Sequence, residues 1–307
     1  MNLSDPADPA EAERWLIAHG LPWFVRGVDD RVGALVAPRR LTPVVGLLAV
    51  LAGIVGWLVA RATDLASGLS VAVAVALLLS LAYAGGPLRL GTMARWAARQ
   101  ALTQLWLVLP LVLRALPMLL LFTTFLFINT EVWQVAGSLS LPRLWAAVLV
   151  FTVLGTAFLL TRLPEEVRRV EQAVAGDGTQ YTELRQIERV NLVIVLLVLQ
   201  SLQVFLLALV VFGFFVGFGV LAIGDDVIRT WMGDPAVPSL QIWQSLGVPV
   251  PISGELVKVS VFLAAFGALY FTIYAVSDPT YRTQFFAHID TELERAVGVR
   301  AAYRSIR

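Results

Sequence analysis

Six long apolar blocks divide this 307-residue chain, and they limit its fold more than any other feature. The blocks cover approximately residues 41–60, 69–84, 101–128, 144–161, 190–223 and 256–276. A helix rises 1.5 Å per residue, so about 20 apolar residues cross the hydrocarbon core of a bilayer. Inside that core a helix satisfies its own backbone polar groups. The sequence therefore predicts an all-α, polytopic membrane protein with six transmembrane helices.

The composition agrees with this class and excludes others. Hydrophobic residues make up 58% of the chain and charged residues 15%, against about 45–50% and about 25% in soluble domains. This composition excludes a disordered chain and argues against a soluble enzyme. The chain has no cysteine, which excludes disulfides, thiolate catalysis and cysteine-bound zinc.

The basic residues predict the orientation of the chain. With a cytoplasmic N-terminus, 18 Lys and Arg residues fall in cytoplasmic segments and 4 in external ones, while Arg114 lies inside a block. Short cytoplasmic loops carry such an excess of positive charge. We expect a multi-pass protein of the plasma (inner) membrane with both termini in the cytoplasm.

Three segments outside the spans are expected to be cytoplasmic and partly helical. They are the amphipathic N-terminal segment 1–40, the loop 162–189 and a C-terminal helix within 278–307, and the transmembrane domain covers 41–277. In the last segment Phe285, Ile289, Leu293 and Val297 recur every four residues, which gives one apolar helix face. We expect these faces to pack on the protein's own cytoplasmic side, on a second copy or on a partner subunit.

Two of the blocks are too long for an upright span. The third block, 101–128, would be about 42 Å long as a helix, and the fifth, 190–223, would be about 51 Å long. We expect both helices to be tilted, kinked or extended beyond the bilayer. Pro110 and Pro117 favour a kink in the third block, and Gly213 and Gly217 form a GxxxG pair in the fifth.

Polar side chains within the blocks are the candidate site. Arg114 is the only charged residue deep inside a block, and Gln200 and Gln203 share one face of the fifth block. If both helices start near the cytoplasmic surface, all three lie about 15–20 Å deep. With no carboxylate at that depth, Arg114 requires an anion, carbonyl groups or water. The three residues are predicted to line a path for a substrate or ion.

Two structural alternatives remain open for these residues. If the third helix starts near Trp106, the Arg114 side chain extends to the cytoplasmic headgroups or donates a hydrogen bond to Gln200. Gln200 and Gln203 would then hold helices together by hydrogen bonds across their interface.

No motif indicates catalysis. The chain lacks HExxH, a phosphate-binding GxxxxGK[ST] loop and an Asp-rich magnesium motif. Its two histidines, His19 and His288, lie in separate terminal segments. The sequence predicts no catalytic residue, no metal site, no cofactor and no nucleic-acid partner.

Three stretches of the chain resemble a group of uncharacterised actinobacterial membrane proteins with six spans. They are Trp15–Pro22 (WLIAHGLP), Phe127–Trp133 (FINTEVW) and Tyr281–Phe286 (YRTQFF). The resemblance implies a bacterial plasma-membrane location and brings no activity with it.

Our leading hypothesis for function is a non-enzymatic channel or carrier for a small solute or anion. The first alternative is a membrane-embedded scaffold or permease subunit that works with a partner chain, for which the amphipathic stretch Arg89–Gln100 would be a coupling helix. A lipid-processing enzyme is a third and weaker hypothesis.

Overall fold

The computed structural model describes most of the chain as helices. The described residues are 9–28, 32, 38–85, 90–103, 117–176, 183–233, 252–277, 295–300 and 303. They contain no strand and are 90% helical, which confirms the prediction of an all-α protein.

Ten helices in the described part are numbered here in chain order. They are α1 (Pro9–Ala18), α2 (Pro38–Ala62), α3 (Leu65–Gly85), α4 (Leu90–Thr103), α5 (Pro117–Phe127), α6 (Thr130–Ser138), α7 (Leu141–Gly176), α8 (Gln186–Ala222), α9 (Asp225–Met232) and α10 (Gly254–Ser277). A single 3-10 turn, Pro22–Phe24, follows α1, and residues 295–300 and 303 are also helical.

Four of these helices are long and apolar enough to cross a membrane. The qualifying stretches are Thr42–Ala62, Leu141–Arg169, Gln186–Ala222 and Gly254–Ala275. The bent pair α5 and α6 adds a fifth if it forms one broken span. In α3 the apolar stretch is shorter, Ser67–Ser80. The described residues thus form a membrane-embedded helical protein with four to five candidate spans.

The third apolar block is described only at its two ends, and the chain bends sharply just after it. Residues 101–103 belong to α4, which begins before the block, and residues 104–116 lie outside the described part. α5 ends at Phe127, and α6 leaves it at an angle of 81°. The Asn129 side chain causes this change of direction because it accepts hydrogen bonds from the backbone N–H groups of Glu131 and Val132 and so begins a new helix.

The N-terminal segment is bound to the start of α8 by one buried side chain. Asn191 accepts a hydrogen bond from the backbone N–H of Trp23 at 3.1 Å and donates one to the carbonyl of Gly20 at 3.2 Å. Gly20 has a φ of +76°, a conformation that favours glycine, and its Cα faces the ring of Trp96 in α4. The N-terminal segment therefore packs on the protein's own helices.

The C-terminal segment also packs against the start of α8. Arg300 forms an ion pair with Glu188 at 2.7 Å, and both side chains are fully buried. Arg300 also donates to the carbonyl of Glu183 at 3.1 Å, and the Tyr303 hydroxyl donates to Glu13 at 2.5 Å. We call this end of the bundle, formed by residues 9–28, 295–300, 303 and the start of α8, the terminal face.

The opposite end of the bundle, here called the far face, is formed by α6, α9 and the start of α10. The rings of Trp133 and Trp231 meet edge to face at 5.5 Å. Lys258 donates a hydrogen bond from Nζ to the carbonyl of Gly137 at 3.0 Å. Arg143, at the start of α7, pairs with Asp64 of the α2–α3 turn at 3.5 Å, which places that turn at the far face as well.

Glycines allow close helix contacts in the α2–α3 hairpin and near the end of α8, but not at the predicted GxxxG pair. In the α2–α3 hairpin, a Cβ on Gly56 would meet the backbone of Gly68, so these two glycines allow the close approach. In α8, a Cβ added to Gly213 or Gly217 would meet no described atom within 4 Å. Gly219 contacts Leu256 of α10 instead, so the expected GxxxG contact is replaced by one two residues further along.

The buried ion pair generates the first prediction. Glu188→Gln leaves the Arg300 guanidinium buried without its counter-charge, so we expect the free energy of unfolding to fall by about 3–5 kcal/mol. Unfolding is followed by circular dichroism in mixed detergent and SDS micelles.

The matched control is Glu165→Gln, because Glu165 pairs with Arg162 at 3.4 Å and both side chains are close to half exposed. That change is expected to cost no more than about 1 kcal/mol. Equal losses in the two variants would contradict the role given to the buried pair.

Candidate functional site

Gln200 and Gln203 lie on a buried face near the middle of α8. Gln200 is fully buried and Gln203 is 8% exposed. They are three residues apart, so their side chains project from the same side of the helix, together with Leu196 and Leu207. Gln200 is 14 residues beyond the start of α8, which corresponds to about 21 Å along the helix axis.

Three of the four side-chain amide atoms of these two glutamines lack a hydrogen-bond partner within the described part of the chain. Both amide atoms of Gln200 and the oxygen of Gln203 are buried there without a hydrogen bond. Burying an amide group without a hydrogen bond costs about 1–3 kcal/mol in proteins. The pair is therefore a polar site whose amide atoms require a further hydrogen-bond donor and acceptor. A side chain, water or a solute can supply them.

Arg114, the third residue of the predicted site, falls in the stretch 104–116 outside the described residues. The described chain resumes at Pro117, and Leu119 and Val211 both lie within 4 Å of a Cβ placed on Gly267. α5 thus packs beside α8 and α10 on the far-face side of Gln203. An interaction of Arg114 with the two amides stays a prediction from the sequence.

Two further buried polar atoms lie in α10, and no pattern in the sequence groups them. The Ser260 hydroxyl and one carboxylate oxygen of Glu255 are buried without a partner among the described residues. Leu256, one residue beyond Glu255, contacts Gly219 at the far-face end of α8. Position 219 is about 24 Å along the helix from Gln203, so the Glu255 oxygen and the glutamine pair belong to separate sites.

An apolar groove of about 330 Å³ lies between α7, α8 and α10, and sequence analysis did not predict it. Four hydroxyl-bearing residues line it among otherwise apolar side chains, and the lining contains no titratable group. Two of them, Thr152 and Thr272, donate to carbonyls of their own helices at 2.8 Å. Neither Gln200 nor Gln203 lines the groove.

The described residues contain no group of three or more His, Cys, Asp or Glu side chains placed to hold a metal ion. Comparison with known proteins gives no match to a family model, to a curated protein or to a solved structure.

The unpaired amide generates the second prediction. Gln200→Leu removes a buried polar group and keeps a similar volume, so we expect the free energy of unfolding to rise by about 1–2 kcal/mol. Gln186→Leu is the matched control, because Gln186 is an exposed glutamine of the same helix and its replacement is expected to change stability by less than about 0.5 kcal/mol.

A loss of stability in Gln200→Leu that is absent in Gln186→Leu would mean that Gln200 holds helices together through a hydrogen bond. The measurement is again reversible unfolding in mixed micelles, on the two variants and the wild type side by side.

Proposed function

We propose that the protein is a six-span membrane channel or carrier, without enzymatic activity, for a small solute or anion. The polar path runs past Gln200 and Gln203, with Arg114 as the third member. The observation that supports this most directly is the set of buried amide atoms of Gln200 and Gln203 that have no partner among the described residues. Polar groups at this depth of a membrane protein commonly mark a substrate or ion path.

The chemistry of the three side chains favours an anion. A guanidinium and a primary amide both present N–H donors, and Arg114 is the only charged residue deep within an apolar block. Basic side chains are the usual lining of anion pores. No carboxylate is present at that depth in the sequence to neutralise the arginine.

The two terminal segments support an even number of crossings. Residues from both segments contact the start of α8, through Asn191 and through Glu188, so both segments lie at one end of the bundle. An even number of spans is required for that arrangement if the bundle crosses a membrane. Together with the uneven distribution of arginines, this supports six spans with both termini in the cytoplasm of a bacterial cell.

A scaffold or permease subunit is the second candidate, and one feature of α4 favours it. Met93 and Ala97 are buried against the rest of the protein, whereas Arg95 on the same helix is exposed. An amphipathic helix held in this way at the terminal face presents a basic surface to a partner subunit. A lipid-processing enzyme is a weaker candidate, since the described apolar groove has no titratable side chain in its lining.

Flux through the purified protein tests the leading proposal. We expect proteoliposomes that contain only this protein to take up chloride, nitrate or acetate under an imposed potential. Arg114→Gln and Gln200→Leu are expected to lower the rate about tenfold or more, because each removes donors worth more than about 1.4 kcal/mol to an ion in the path. Gln186→Leu is expected to keep the wild-type rate.

Flux that is the same in all four proteins would contradict a path along these residues. The absence of flux in every protein, with folding verified by circular dichroism, would contradict autonomous transport. A chain that co-purifies with the wild type in that case would support the permease subunit.

A further inference from the structure

The groove between α7, α8 and α10 has a narrow floor of small residues and a rim of large ones. Ala264 and Thr272 on its floor are buried, and Gly155 leaves room beside Leu269. At the mouth, the side chains of Trp145, Phe205 and Leu209 are about half exposed. The groove is therefore open on the outer surface of the helical body.

Its position along the helices places it at the depth of lipid chains. The residues that line it extend over positions 201–212 of α8 and 261–272 of α10. Each interval is about 17 Å long, a little over half of the roughly 30 Å hydrocarbon core. Trp145 lies four residues from the far-face end of α7, where an aromatic residue is typical of the membrane interface.

We propose that this groove binds one acyl chain of a membrane phospholipid, from the leaflet at the far face. The chain enters beside Trp145 and extends along the floor towards Thr272. The lining carries no charge and the hydroxyls of Thr152 and Thr272 already donate to their own helices, so the groove favours an apolar ligand. In a bilayer, such a groove faces the hydrocarbon chains of the surrounding lipids.

The large and small residues of the groove favour binding of a flexible acyl chain rather than packing of a helix from a second copy of the protein. Helices associate in membranes when small residues lie at the contact surface and let the backbones approach. Here the small residues Ala264 and Ala268 line the groove between helices, while Phe205 and Leu209 stand at its mouth. A hydrocarbon chain passes between those rim side chains, whereas a helix rests on top of them.

The proposal is independent of transport. It requires only that α7, α8 and α10 lie in a membrane, and the groove is on a different side of α8 from Gln200 and Gln203. Loss of anion flux would leave it intact, and loss of lipid binding would leave the proposed path intact.

Photolabelling tests the proposal in the full-length protein. The protein is reconstituted into liposomes that contain a phosphatidylethanolamine with a diazirine at the middle of one acyl chain, and cross-links are mapped by mass spectrometry. We expect more adducts at Gly155 and Ala265, which line the groove, than on the exposed surface of α7. That surface is represented by Val150 and Leu154.

Ala268→Phe fills the floor of the groove and is expected to reduce labelling there to the level of the exposed surface. Val150→Phe adds a large side chain outside the groove and is the matched control, with wild-type labelling expected. If Ala268→Phe fails to fold, Ala268→Leu fills the same space with fewer atoms.

Two results would overturn the proposal. Equal labelling of the groove and of the exposed surface in the wild type would mean that only bulk lipid contacts the protein. Because the chain has no cysteine of its own, Leu209→Cys gives a single thiol at the mouth of the groove. Its efficient oxidation to a disulfide-linked dimer in the bilayer would mean that a second copy covers the groove.

Discussion

The buried ion pair between Glu188 and Arg300 is the interaction on which the arrangement of the chain depends most. A single buried charge is strongly unfavourable, so the start of α8 is stable in this environment only when the C-terminal segment returns to it. Asn191 has the same effect on the N-terminal segment through its two hydrogen bonds. These two side chains, three residues apart on α8, hold the described parts of the N-terminal and C-terminal segments at one face of the bundle.

The buried glutamine amides and the apolar groove lie on different sides of the long helix α8. Successive residues turn by about 100° around a helix, so Ser201 and Phe205 point about 100° and 140° away from Gln200. One side of α8 therefore carries the buried amides, and another side carries the apolar groove against α7 and α10. On this account solute passes within the bundle and lipid binds at its surface, without either entering the site of the other.

The sequence predicts the parts of this fold that depend on one continuous apolar run. α8 and α10 begin and end within a few residues of the predicted spans, and the three-residue spacing places Gln200 and Gln203 on one buried face. The predicted end of the third block, residue 128, agrees with the end of α5 at Phe127, but the sharp bend into α6 was not predicted because it depends on the hydrogen bonds of one capping asparagine. The Glu188–Arg300 pair joins residues 112 positions apart, so no local pattern signals it. The groove needs three packed helices and has no signature in any one of them.

The central proposal is a membrane bundle with both terminal segments on the cytoplasmic side and α6 and α9 on the outer side. Since the chain has no cysteine, single cysteines at exposed positions report sidedness directly. We expect a membrane-impermeant maleimide to label Thr63→Cys and Asp226→Cys, at the far face, in intact cells that express the protein. Arg26→Cys and Gln172→Cys, at the terminal face, are expected to react only after the cells are permeabilised. Labelling of cysteines from both faces in intact cells would contradict the account.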